Sequence, residues 1–443
     1  MSDGIRRRDG DKLFDGPPVM KRVLHVHDTR TRSRRPFETL EAGKARMYVC
    51  GPSVYDRSHV GHARSYVAFD VVKRWLLAKG YDVEHVQNFT DIEENISKRA
   101  LANGEPPLAY ADRYIRVFFE EMDALRIVRA THYPRVSQNT ERIIEIVKEL
   151  LDRGLAYKVE CRDGACDVYY DTSKDPTFGS LAGASLDDLV VAGAKEAGER
   201  RHPADFALWK SREDWGIAWD SPWGRGRPGW HIECTAMAIG HLGPTLDLHG
   251  GGLDLVFPHH ESEAAVGRAW TGKEFSRHWL HNGFVTVTGA KMSKSKNNFV
   301  TLREALAGRD PEAVRAYLLS TQYRAPFDFD AAAIKPWEGR LAEARRAIDA
   351  LAARASGAPA PNAAVDDARG RFVEAMDDDF DTPRAIEAAF DVVRWAAGRG
   401  SQATPAEAAR ALDFLRNAAD ALGLFWTLER RFARSRAPAA TTA

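Results

Sequence analysis

Residues 46–91 read RMYVCGPSVYDRSHVGHARSYVAFDVVKRWLLAKGYDVEHVQNFTD, and their reading decides the fold. Met47 to Cys50 is a short apolar run that stops at Gly51-Pro52, as a buried strand does. Ala68, Val71, Val72 and Trp75 recur at i, i+3, i+4 and i+7, one face of a helix. Lys79 and Gly80 close that helix with a cation and a C-terminal glycine. Val83 to Val86 begins a second strand. The spacing predicts a βαβ unit, and such units bind ligands beyond the carboxyl ends of their parallel strands. His59-Val60-Gly61-His62 lies where the helix begins. A helix N-terminus attracts phosphate, Gly61 permits close backbone approach, and two imidazoles can donate hydrogen bonds as charge builds up on a phosphate. Taken alone, the tetrapeptide is equally compatible with two ordinary loop histidines.

Outward from this stretch, 443 residues allow two to four domains with ample core. Hydrophobic content of 44% and charged content of 28% are those of a globular chain. Lys+Arg and Asp+Glu are both 63, so any surface for nucleic acid must be a local basic patch. No apolar run approaches the ~20 residues of a membrane helix, and the N-terminus lacks the apolar segment of a secretory signal. Four cysteines are too few for a disulfide scaffold, and they fit metal or catalytic roles in a reducing compartment. A cytoplasmic, monomeric protein with no membrane contact is expected.

The chain divides in order. Residues 1–21 are expected to be a flexible extension, and 22–135 the first half of a Rossmann-like domain with a parallel nucleotide-binding sheet. Arg30 to Arg35 reads as a solvated loop. Residues 136–228 form a connective insertion. It opens with a helical stripe at Ile143, Ile144, Val147, Leu150 and Leu151, and a hairpin follows around Arg162-Asp163-Gly164-Ala165. Cys161 and Cys166 read as strand cysteines across that turn, since no second pair at zinc-ribbon spacing follows. Residues 229–283 return to the main sheet, 284–334 carry a lysine-rich loop and linking helices, 335–430 form an all-α bundle, and 431–443 a disordered tail. In the bundle, Met376-Asp377-Asp378-Asp379-Phe380-Asp381-Thr382-Pro383 reads as a solvated turn, with Thr382-Pro383 starting a helix.

The return segment is dense in chemistry: Trp230-His231-Ile232-Glu233-Cys234, Leu248-His249-Gly250-Gly251-Gly252-Leu253-Asp254, and Phe257-Pro258-His259-His260-Glu261-Ser262-Glu263. Gly251 and Gly252 let a planar ligand lie against bare backbone, and Asp254 can hold a hydroxyl or ammonium group. A helix begun by Pro258 would set His259 and Glu263 on one face at i and i+4. With Cys50 and Cys234 these make a plausible tetrahedral zinc set. Spacing alone leaves buried cysteines and a satisfied histidine as an equal reading.

The HVGH loop and Lys291-Met292-Ser293-Lys294-Ser295, in this order around a βαβ unit, resemble the two ATP-binding signatures of class I aminoacyl-tRNA synthetases. VCGPSVYDRSHVGHAR, WHIEC, HGGGLDLVFPHHESE and AKMSKSKNN together resemble the cysteinyl-tRNA synthetases, over about Arg22 to Trp426. The resemblance implies one Zn2+ per chain on Cys50, Cys234, His259 and Glu263. It implies an amino-acid pocket of Thr90, Trp230, His249 and Asp254, and ATP, with Mg2+, held at Gly61, Gly251, Gly252 and Lys294. Catalysis would fall to His59, His62, Lys291 and Lys294. L-cysteine would be activated by ATP to the adenylate and passed to the 3′ end of tRNA(Cys). Zinc would favour a substrate thiolate over the hydroxyl of serine.

Two departures stand out. Ile92-Glu93-Glu94-Asn95 replaces the family's IDDK, at what reads as a solvated helix start. The small mixed anticodon-reading domain that typically follows the bundle has no counterpart after Trp426, so the C-terminal domain is expected to be lacking. Two other readings are open: a ligase that passes cysteine to a small amine, as in the mycothiol pathway, and a non-catalytic tRNA-binding relative. The intact HVGH and KMSKS argue against the second, and the insertion and bundle argue against the first.

Overall fold

The computed structural model describes residues 22–160, 164–185, 200–211, 216–287, 289–291, 299–399 and 402–428. The N-terminal extension, the tail, Cys161 and residues 292–298 with Lys294 lie outside the described residues, as does the side chain of Lys291. At the centre is a four-stranded parallel sheet. Its strands are β3 (Lys44–Val49), β4 (Asp82–Gln87), β9 (Leu246–Gly252) and β10 (Ser276–Asn282), in the order β10-β9-β3-β4. Helix α1 (Val60–Ala78) crosses over from β3 to β4, as the 46–91 stretch predicts, and ends at Lys79 with Gly80 at φ +100°. Ala68, Val71, Val72 and Trp75 are all buried.

The two faces of β3 feed two cores. Met47 and Val49 join α1 and the bundle, while Tyr48 and Cys50 join the insertion side, as the period of a strand requires. The chain leaves β3 toward β4 on one side and returns as β9 on the other. The β3–β9 boundary is therefore the switch point at which open α/β sheets bind ligands.

Ahead of this sheet, β1 (His25–Asp28) and β2 (Ser33–Pro36) form an antiparallel pair. The run Arg30 to Arg35 thus becomes a turn and an edge strand rather than a loop, with Arg35 on the buried Asp28 at 3.1 Å. Helices α2 (Glu94–Ala102), α3 (Pro107–Ala124) and α4 (Thr140–Asp152) follow β4. The insertion builds an antiparallel sheet from β5 (Ala156–Glu160), β6 (Cys166–Tyr170), β7 (Phe206–Lys210) and β8 (Arg227–Pro228). Helices α5 (Trp230–Leu242) and α6 (Glu261–Thr271) flank β9. Beyond β10, strands β11 (Val285–Val287), β12 (Ala290–Lys291) and β13 (Phe327–Phe329) make a small sheet, with α7 (Leu302–Leu306) and α8 (Pro311–Leu319) between the last two. The bundle is α9 (Lys335–Arg354), α10 (Ala363–Asp377), α11 (Thr382–Arg399) and α12 (Pro405–Leu422).

Buried charge joins the bundle to the sheet domain. On α1, Asp70 accepts from Arg74 Nε at 2.8 Å and from Arg315 of α8. Arg315 also donates to the carbonyls of Leu125 and Leu422, both at 3.0 Å. A buried pair is tolerable only when its remaining donors are satisfied in this way.

The acidic stretch after α10 corrects the sequence reading. Thr382 does start a helix, but Asp377 and Asp379 are buried. Asp377 accepts from Trp75 Nε1 and Lys79 Nζ, both at 3.0 Å, and charge-assisted bonds of this kind repay the desolvation of a carboxylate. No described helix is long and apolar enough to cross a membrane.

Candidate active site

The cleft at the β3–β9 switch point is an open cavity of about 590 Å³. At one end stands the N-terminus of α1. His59 is its N-cap, and the two histidines form a reciprocal capping box. The His62 N–H donates to His59 Nδ1 at 3.2 Å, and the His59 N–H donates to His62 Nδ1 at 3.4 Å. The rings stack at 3.7 Å. Because each Nδ1 accepts from backbone, the proton of each neutral imidazole belongs on Nε2. Burial, and then the neighbouring His59, push His62 well below the usual histidine range, so it works as a neutral N–H donor. His59, Gly61 and His62 all line the cavity.

At the other end lies the thiol cluster. Cys50 follows β3 and is tied to β9 by its N–H on the Gly250 carbonyl at 3.2 Å. Cys234 sits in the second turn of α5. His259 and Glu263 are four apart as predicted, but α6 begins only at Glu261, and a wider turn over Val256–His260 carries His259. All four are buried, and their candidate ligand atoms lie within 4.8 Å of one another. Cys50 Sγ is 3.5 Å from Glu263 Oε1, and His259 Nε2 is 3.0 Å from the same oxygen. His231 Nδ1 stands 2.9 Å behind His259 Nδ1, and His249 Nε2 is 2.9 Å from Glu263 Oε2.

The electrostatics suit a cation. Hydrogen bonding from Cys50 holds the Cys234 thiol down to about 6, against the pull of burial. Burial first, and then its bond to Cys234, push Cys50 well up. Burial opposes charge on Glu263, but the His249 and His259 imidazoles hold it down to about 2. Two sulfurs, an imidazole and a carboxylate, buried and converging, fit zinc.

A second set, Cys50, His249, His260 and Glu263, converges as closely. Its imidazoles also face the shared ligands, with His260 Nε2 3.3 Å from Cys50 Sγ. His249 backs Glu263, and His260 Nδ1 meets His281 Nε2 at 2.7 Å. Cys50, Cys234 and His259 of the first set line the cavity, against Cys50 alone of the second, so the first set has the broader border on space for a substrate.

The remaining candidates divide. Thr90, Trp230, Gly252 and Asp254 line the cavity. Trp230 is half exposed and stacks on His259 at 4.3 Å. His249 is fully buried behind Glu263, and Gly251 also stands off the cavity wall. Two of the three consecutive glycines make room for protein: a Cβ on Gly250 would come 2.2 Å from Phe69 Cε1, and one on Gly251 2.8 Å from His260 Cε1. Sequence reasoning missed Glu233 and Arg227, which also line the cavity; Glu233 sits beside Cys234 in the WHIEC motif. Glu93 and Asn95 do so too, so that helix start faces the site rather than bulk solvent, with Glu93 capping α2 through the Asn95 N–H at 2.9 Å.

Residues 36–338 match the tRNA synthetases class I (C) catalytic domain, and 371–426 match the DALR domain. A DALR domain is therefore present within the bundle, where the sequence reading expects the C-terminal domain to be lacking. The chain is 44% identical over 381 residues to the cysteine–tRNA ligase of Thermococcus gammatolerans, covering 84% of this chain and 79% of that one. It is 46% identical over 409 residues to that of Anaeromyxobacter dehalogenans, covering 89% and 83%. Among solved structures, a methionyl-tRNA synthetase of Mycobacterium tuberculosis with methionyl-adenylate shares the fold at a TM-score of 0.60 and 19% identity, covering 85% of this chain and 89% of that one. A LeuRS of Agrobacterium radiobacter K84 in ternary complex with tRNA and LeuAMS does so at 0.65 and 13%, covering 90% and 86%. Of the readings open to the sequence, the relatives support the tRNA ligase. The chain belongs to the cysteine–tRNA ligases, within the class I aminoacyl-tRNA synthetases.

Proposed function

We propose that this cysteine–tRNA ligase selects its amino acid at the Cys50, Cys234, His259 and Glu263 cluster and activates it along the cleft toward His59 and His62. The observation that carries the reading is the convergence of four buried ligand-type atoms, three of them on residues that line the same cavity the α1 N-terminus enters. One Zn2+ fits that cluster, and when bound it would supply a soft position where a thiol gives up its proton at modest cost and a hydroxyl does not.

The chain's own groups do the rest. His231 and His249 orient His259 and Glu263. Trp230 covers His259, and Asp254 is placed to receive the ammonium group of L-cysteine. Thr90, its N–H on the Pro52 carbonyl at 3.2 Å, holds a hydroxyl near the thiol end. The substrate carboxylate then attacks the α-phosphate of ATP, which enters with Mg2+, and pyrophosphate leaves. Nε2–H groups of His59 and His62 and the positive end of α1 stabilise the charge that develops on the phosphate oxygens. Lys291 and Lys294 are assigned by the KMSKS motif alone, as cations closing over the leaving group. Most of the rate comes from positioning, since no protein group bonds covalently to the substrate. The adenylate is then attacked by the 3′-terminal ribose of tRNA(Cys). A cytoplasmic monomer free of membrane fits this role.

The test is Cys234→Ser. The purified wild type should carry about one tightly held zinc by the four-ligand count. The variant should lose most of it, together with cysteine-dependent ATP–pyrophosphate exchange, while its circular dichroism stays native. Full zinc content in an inactive variant, or full activity in a zinc-free one, would overturn the assignment.

A further inference from the structure

The acidic stretch after α10 has no part in the chemistry above, yet it holds a buried carboxylate, Asp379, with four donors. Asp379 and Phe380 are both buried and lie at φ +56° and +55°, consecutive non-glycine residues in the left-handed region. Such a pair is unfavourable and persists only where its surroundings fix it. Here they do. Asp379 Oδ1 accepts from the His27 N–H at 2.8 Å and from Tyr323 Oη–H at 3.0 Å. Its Oδ2 accepts from Arg324 Nε at 2.6 Å and Gln322 Nε2 at 3.1 Å. Its own N–H donates to the His25 carbonyl at 2.9 Å. Every side-chain donor comes from residues 322–324, a crossing between α8 and β13 that belongs to the sheet domain.

That crossing touches the active site from behind. The Gly283 N–H donates to the Tyr323 carbonyl at 2.9 Å. A Cβ on Gly283 would come 2.5 Å from the Arg324 carbonyl oxygen, so the two backbones lie in direct contact. The Phe327 N–H then holds the Phe284 carbonyl at 2.9 Å, and β13 pairs with β11. Gly283, Phe284 and Val285 are cavity wall, and β11 leads toward the lysine-rich loop. From the other side, Arg64, two residues past His62, donates to the carbonyls of Thr321 and Gln322 at 2.8 and 2.9 Å.

We propose that Asp379 is a positioning residue for amino-acid activation: from the bundle it fixes the 322–324 crossing, and through it the Gly283–Val285 wall and the α1 histidines. The proposal rests on the reading of the cleft as the activation site. Nothing about it involves the thiol cluster, so it separates binding of cysteine from placement of the nucleotide.

The test compares Asp379→Asn with wild type in ATP–pyrophosphate exchange, with rates normalised to active sites titrated by adenylate formation. Asparagine keeps the shape and one acceptor but loses the charge facing Arg324. Activation kcat should fall about tenfold and the KM for ATP should rise, in line with the cost of small misplacements of a reacting centre. The KM for cysteine should stay within about twofold. Tyr323→Phe, which removes one donor and keeps the ring, should give the same pattern at about threefold, and the double variant should be no worse than Asp379→Asn. A variant with a lower melting temperature but unchanged kcat and ATP KM per active site would overturn the proposal and leave Asp379 a stabilising pin. Should Asp379→Asn fail to fold, unchanged rates in Tyr323→Phe would overturn it equally. If wild type itself shows no cysteine-dependent exchange, the reading of the cleft falls instead.

Discussion

At the scale of the residue, the candidate site draws on chemistry that is local in sequence. A helix N-terminus with two histidines, and a His-x-x-x-Glu pair on one face, announce themselves by spacing. What spacing cannot give is depth. His249 and Glu263 both read as site residues, yet only the fold shows that one stands behind the other, fixing a carboxylate it never shares with the cavity. Glu233 and Arg227 were illegible for the opposite reason, since they are ordinary charges until β8 and α5 turn them onto the cleft. The lysine of the KMSKS motif is the residue whose effect is easiest to isolate. Its charge should act chiefly in the transition state, so Lys294→Ala should lower activation kcat by about 100-fold or more with little change in the KM for cysteine, by analogy with removing one preorganised oxyanion donor. Steady-state exchange kinetics decide it, and an unchanged rate would remove the loop from catalysis.

At the scale of the element, periodicity served well where one face is buried. The α1 stripe is buried as its spacing predicts, and Leu341, Ala344, Ile348 and Leu351 make a buried stripe on α9. It failed at Asp377 and Asp379, because a run of acids looks solvated unless the Trp75, Lys79 and Arg324 that meet it from distant elements are known. Phe69 occupies the space a Gly250 side chain would take. Gly250→Ala should therefore destabilise the protein by about 1–3 kcal/mol, the usual cost of overpacking, although alanine is otherwise harmless in a strand. Denaturant unfolding measures this directly, and a neutral result would mean that α1 can retreat from β9 at no cost.

At the scale of the whole molecule, two cores share one sheet, and the cleft opens at the strand ends where the chain reverses direction. Several histidines are buried neutral in that arrangement. Burial pushes His278 down to about 4, and His281 and His231 to about 3, from an ordinary 6.5. A base depressed in the folded state takes up its proton first in the unfolded chain. The stability from these groups is thus complete above pH 6.5 and is lost as the pH falls toward 4 and below. Melting temperature should decline steadily across that window, and His278→Gln should make the decline shallower; a flat profile would show that these imidazoles are hydrated. In the proposed function the amino acid is chosen at the Cys50, Cys234, His259 and Glu263 cluster. The measurement is cysteine- against serine-dependent ATP–pyrophosphate exchange before and after chelation of zinc, with zinc restored as control. Exchange should be specific for cysteine, vanish on chelation and return with zinc. A zinc-free enzyme that still activates cysteine and rejects serine would contradict it.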